Sequence, residues 1–114
     1  MSDDRSELLK GTLDLMVLKS LEHQAMHGWG LAIRIEQISN GVFIIHQGAL
    51  FPALQRLKRK GWITSEWGQT ENNRRARYYR LTSTGRKQLH KKVVEWERVV
   101  VGMNGILNPQ IQEG

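Results

Sequence analysis

Four arginines crowd into seven residues, Arg74-Arg75-Ala76-Arg77-Tyr78-Tyr79-Arg80, with no acid among them. A guanidinium group is planar, always charged and presents several N–H donors, so such a cluster is suited to phosphate oxygens. A second cluster, Arg56, Lys58, Arg59 and Lys60, closes the stretch Gly48-Ala49-Leu50-Phe51-Pro52-Ala53-Leu54-Gln55-Arg56-Leu57-Lys58-Arg59-Lys60-Gly61. Just before and inside its start stand Gln47, Gly48 and Ala49. A glutamine amide can pair with the edge of adenine, and an alanine methyl can touch a thymine methyl. Phosphate grip beside base-edge chemistry points to duplex DNA as the partner.

Other chemistries find little support. No nucleophile–base set, paired carboxylates or phosphate-binding glycine loop is present, and Gly28-Trp29-Gly30 is no dinucleotide fingerprint. His23 and His27 stand four apart, but in a segment that reads as a loop with no third ligand near. The chain is therefore read as a non-enzyme with neither cofactor nor metal. Cysteine is absent, which fits a reducing, cytoplasmic compartment. Neither a leader pattern nor an apolar run of membrane length occurs, so no membrane role is expected.

The charge is distributed unevenly. Seventeen Lys and Arg face eleven Asp and Glu over 114 residues, a formal charge of +6. Asp3, Asp4, Glu7, Asp14, Glu22 and Glu36 lie in the first third, whereas Arg56 to Arg80 holds eight cations and only Glu66 and Glu71. Net charge alone is equally a solubility device, so the clustering carries the argument.

The elements that must position these residues follow from periodicity. Residues 1–7 are polar and expected to fray. From Thr12 to about Glu22, Leu13, Leu15, Met16, Val17, Leu18 and Leu21 are apolar nearly all round, as in a buried helix. Leu31, Ile35 and Ile38 give a second helix over Trp29 to Ser39, ended at Asn40-Gly41 by residues able to take positive φ. His27 is expected to fix the turn before it. Val42 to Ile45 reads as a short strand. A third helix spans Gln47 to Lys60 with Leu50, Leu54 and Leu57 inward. Pro52 would clash with the carbonyl of residue 48, which is glycine and best able to adjust. Gly61 is a natural stop.

A hairpin follows, Trp62–Trp67 and Arg75–Leu81, with Asn73 in its loop. Tyr79 and Leu81 share one face. Thr82 then caps a last helix, on which Leu89, Val93, Trp96, Val100, Met103 and Leu107 repeat at heptad spacing. From Ser83 to Leu107 such a helix would extend roughly 37 Å. The small core does not need that length, so a partner helix explains the seam better than folding back does. The fold expected is mainly α (α+β), a winged helix-turn-helix with a long C-terminal dimerisation helix. Residues 1–82 form the DNA-binding domain and 83–114 the dimerisation helix and tail.

Several words in order now resemble one family. Gly11-Thr12-Leu13-Asp14-Leu15, His27-Gly28-Trp29, Gly48-Ala49-Leu50-Phe51-Pro52-Ala53-Leu54-Gln55-Arg56-Leu57, Gly61-Trp62-Ile63 and Arg77-Tyr78-Tyr79-Arg80-Leu81-Thr82 look like the PadR family of bacterial transcriptional regulators, in its short form with one C-terminal helix. The resemblance implies a homodimeric repressor joined through its first and last helices. Several members respond to small aromatic compounds, some in a pore between subunits. The family usually has Ser-x-Gly-Thr-Leu-Tyr-Pro where this chain has His46-Gln47-Gly48-Ala49-Leu50-Phe51-Pro52. Contacts that depend on those hydroxyls are not carried over to Ala49 or Phe51.

The expected DNA site is thus Gln47, Gly48, Ala49, Arg56, Asn73, Arg74, Arg75 and Arg77, with Arg80 structural. Each has a plainer reading. Lys58, Arg59 and Lys60 at a helix end would offset its dipole, and the arginine strand would deter edge pairing. The expected interface is Leu89, Val93, Trp96, Val100 and Met103. There Trp96 is either a packed anchor or, stacked with its symmetry mate, a platform for a small planar aromatic effector. Glu7 and Asp14 would be the acids available to a cationic guest. The rival reading is a winged-helix protein-interaction module that never touches DNA.

Overall fold

The computed structural model describes residues 2–110, with side chains from Gly11 onward. The chain forms α1 (Ser2–Ser20), β1 (Met26–His27), α2 (Gly28–Ile38), α3 (Gln47–Arg59), β2 (Ile63–Gln69), β3 (Arg75–Leu81) and α4 (Ser83–Leu107). The first helix begins at Ser2, well before the expected Thr12. Leu13, Val17 and Leu18 of α1, with Leu21 just past its end, are buried against Leu31 of α2 and Leu50, Ala53, Leu54 and Leu57 of α3. Ile63, Tyr79, Leu81 and Leu89 close the same core. Tyr79 and Leu81 do share the inward face, as their period of two requires.

Caps and turns fix the boundaries. The Nδ1 of His27 accepts from the Gly30 amide at 3.0 Å, capping α2, and its ring packs edge-on against Tyr78. α2 ends in a Schellman turn. The Gly41 amide reaches the Glu36 carbonyl, the Asn40 amide reaches Gln37, and both end residues have positive φ. α3 ends the same way, with Trp62 bonded to Leu57, Gly61 to Lys58, and Gly61 at φ 76°. Pro52 lies inside α3, four residues after Gly48.

One element is not where the sequence placed it. Residues 42–46 form no strand. The third strand is β1, which pairs antiparallel with β3 through Met26–Tyr79 and His27–Tyr78, giving the order β1-β3-β2. The segment Val42 to Ile45 has the right side chains for a strand but reaches no free strand edge.

α4 starts where the hairpin ends. The Thr82 hydroxyl accepts from the Gly85 amide at 2.9 Å and donates to the Gly61 carbonyl at 2.7 Å, so one residue caps α4 and pins the end of α3. A Cβ on Gly85 would lie 1.9 Å from the Trp62 carbonyl oxygen, so only glycine permits this approach. Beyond Leu89 and Val93, α4 leaves the core and draws the molecule out to 66 × 28 × 28 Å.

Candidate nucleic-acid interface

The first turn of α3 presents Gln47, Gly48 and Ala49 to solvent. One turn on, Phe51 is also exposed and Gln55 half-buried. These follow from amphipathicity: Leu50, Ala53, Leu54 and Leu57 take the inner face and leave the other face free.

Opposite stands the hairpin. Its strands are in register from Ile63–Leu81 to Gln69–Arg75. Asn73 turns the loop at φ 61°, while the Thr70 amide bonds the Arg74 carbonyl and the Thr70 hydroxyl accepts from the Arg74 amide. Both strands overshoot the helices. The face that buries Leu81 and Tyr79 therefore continues past the core as Arg77 and Arg75, with Trp67 across from Arg77. Both guanidinium groups stack on the Trp67 ring, Arg75 at 4.6 Å and Arg77 at 4.8 Å from its centre. Arg77 also donates to the Ser65 hydroxyl at 3.0 Å. On the reverse face the Tyr78 hydroxyl donates to the Gln69 carbonyl, and Arg80 reaches Glu66 at 3.5 Å.

Between hairpin and helices lies an open groove of about 1360 Å³. Gln47, Phe51 and Gln55 of α3 form one wall, Trp67, Arg75 and Arg77 another, and Trp29 stands at the start of α2. None of Trp67, Trp29 and Gln55 belongs to the DNA site expected from the sequence. Trp67 was legible only through the strand register, which sets it across from Arg77.

Four expected residues are engaged elsewhere. Arg56 is tied by a 2.8 Å bond to the Oδ1 of Asp14. Asp14 is only 5% exposed, so Arg56 neutralises a buried carboxylate of α1 and is not a free phosphate ligand. For the same reason Asp14 is no counter-charge for a cationic guest. Glu7 lies outside the described side chains. Leu89 is spent on the chain's own core and Val93 leans on it. Trp96, Val100 and Met103, by contrast, remain open, 46%, 37% and 47% exposed. Among the described residues no group of three or more acidic, histidine or cysteine side chains is placed to hold a metal, and no helix is long and apolar enough to cross a membrane.

Three helices, a hairpin wing and a protruding last helix define a winged helix-turn-helix of the kind found in transcriptional regulators. The chain belongs to the PadR-like family of transcriptional regulators, whose family model matches residues 17–91. It is similar to a transcriptional regulator of solved structure from Clostridium thermocellum, with 29% identity and a TM-score of 0.77 over 87% of this chain and 93% of that one. It shares its fold with a PadR-like transcriptional regulator from Bacillus cereus, at 21% identity and a TM-score of 0.78, covering 91% and 99% of the two chains. An uncharacterized protein from Lysinibacillus sphaericus is 30% identical over 95 residues, 83% of this chain and 87% of that protein.

Proposed function

We propose that this chain is a sequence-specific DNA-binding repressor, acting in the cytoplasm as a homodimer on a palindromic operator. The observation that carries the reading is the groove in which the free face of α3 meets the Trp67–Arg75–Arg77 face of the wing. Gln47 and Ala49 suit base edges in the major groove. Arg74, Arg75, Arg77 and Asn73 suit the phosphates and the adjoining minor groove. The loss of Arg56 from this set leaves the wing as the main phosphate grip. Among the described residues Glu71 is the one acid that lines the groove, which favours a polyanion over a typical protein surface.

The exposed seam of α4 supports the dimer. Trp96, Val99, Val100, Met103, Ile106 and Leu107 are all exposed in the single chain, an apolar stripe that water would leave unstable. A second α4 of the same kind covers it under two-fold symmetry. Residues 1–82 then form the DNA-binding unit and residues 83–114 the dimerisation arm. Trp96 sits in the middle of the arm, where two indoles would meet, so a planar aromatic effector at this point would alter half-site spacing and release the operator. No catalytic role is proposed.

Selection of bound duplexes from fragmented genomic DNA tests this. The expected product is a set of sites with two-fold symmetry and half-sites about one helical turn apart, roughly 34 Å. Recovery of fragments with no shared sequence would contradict the specific-regulator reading and favour a protein-interaction module.

A further inference from the structure

Trp67 is 54% exposed on a strand that faces solvent, an unusual cost for a large aromatic residue unless it performs a task. Its ring is not empty: two guanidinium groups lie over it, at 4.6 and 4.8 Å. Two like charges held against one ring repel each other. The acid on the hairpin strands, Glu66, points to the opposite face and is taken by Arg80. The ring's negative face offsets part of that repulsion. A guanidinium held over a ring still has N–H donors to offer: Arg77 gives one to Ser65, and each group keeps others. The side chains are thereby fixed before any partner arrives, which lowers the entropy lost on binding.

Resting on the DNA-binding reading, we propose that Trp67 is a positioning residue that holds Arg75 and Arg77 as a paired site for the DNA phosphodiester backbone. The Arg77 bond to the Ser65 hydroxyl fixes the second arm of the same pair. The charge belongs to the arginines, and the geometry to the tryptophan. The two contributions can therefore be separated by salt. Removing an arginine removes a phosphate contact and flattens the dependence of log affinity on log salt by about one. Removing the indole leaves both charges in place, so affinity falls while the slope stays close to that of the wild type.

The test is a double-mutant cycle in duplex-binding anisotropy, using the full chain and operator duplex at several salt concentrations. Trp67→Leu is expected to weaken binding about tenfold with its salt slope retained. Trp67→Tyr, which keeps a π face, recovers most of that loss. In an Arg75→Ala, Arg77→Ala background, Trp67→Leu has little further effect. Thermal melts of each variant check that the exposed position leaves the fold intact. Unchanged affinity in Trp67→Leu overturns the proposal, as does an equal loss in the arginine-free background, which would mean that the indole acts alone. If the wild type itself binds no duplex, the DNA-binding reading fails and the phosphate clamp with it. That outcome differs from failure of the clamp alone, in which the wild type binds normally.

Discussion

At the scale of single residues, the pair Asp14–Arg56 shows how one side chain can change its assignment once its neighbours are known. In the sequence, Arg56 is the first of a run of cations toward the end of α3. In the structure it crosses to a residue 42 positions earlier and neutralises an almost fully buried carboxylate. Nothing local signals that contact, although an aspartate in an otherwise apolar helix is a hint that a cation must reach it. Arg56→Met therefore acts through stability. Removing the guanidinium is expected to cost about 2–3 kcal/mol in urea unfolding, below the range for a fully buried pair because the arginine is partly exposed. Arg75→Ala should instead leave unfolding nearly unchanged and weaken DNA binding. Tyr79 carries a second residue-scale expectation. Burial raises its phenol pKa above the ordinary value near 10. The unfolded chain therefore loses this proton first as pH rises. The stability contributed by keeping Tyr79 neutral is complete below about pH 10 and is lost as pH climbs through the raised folded value. A Tyr79→Phe variant should lack that alkaline loss when both proteins are unfolded at successive pH values.

At the scale of elements, four helices and two wing strands were legible because their signals are local. Leu50, Leu54 and Leu57 mark α3 by periodicity, Asn40-Gly41 and Gly61 mark helix ends by positive φ, and Thr82 marks a cap. The third strand was not legible. Val42, Ile44 and Ile45 have strand propensity, but a strand exists only where another offers its edge, and that edge of β3 is filled by Met26 and His27. The site was read in part for the same reason. The arginines announced themselves, whereas Trp67 became meaningful only once register set it beside them. The junction of hairpin and α4 likewise depends on a residue with no sequence signal of its own. Gly85→Ala would drive a methyl into the Trp62 carbonyl and is expected to cost about 1–3 kcal/mol in thermal or urea unfolding. Thr82→Ala loses a cap and should cost about 1 kcal/mol. Because Thr82 ties the start of α4 to Gly61 and Trp62 in the turn between α3 and β2, either change is also expected to loosen the arm relative to the helical core.

At the scale of the whole molecule, a small core and a long arm divide the labour. The core uses Leu89 to anchor α4 and leaves Trp96, Val100 and Met103 outside. Monomers rarely expose an apolar stripe of this extent, and the arm is expected to form a symmetric pair. Light scattering should give twice the 13.2 kDa chain mass for the wild type and the single-chain mass for Val100→Asp with Trp96→Ala. That pair of substitutions spares the core, so the monomer should keep its helical circular dichroism while losing at least tenfold in DNA affinity, through loss of the second half-site.

Recognition of a particular DNA sequence is the property on which the proposed function stands or falls. Its most direct test is fluorescence anisotropy with the DNA upstream of the protein's own gene, against a random duplex of equal length, at two salt concentrations. A sequence-specific repressor should prefer the upstream DNA by about a thousandfold or more, with both affinities falling as salt rises. Absence of binding to either duplex at low salt would contradict the proposed function.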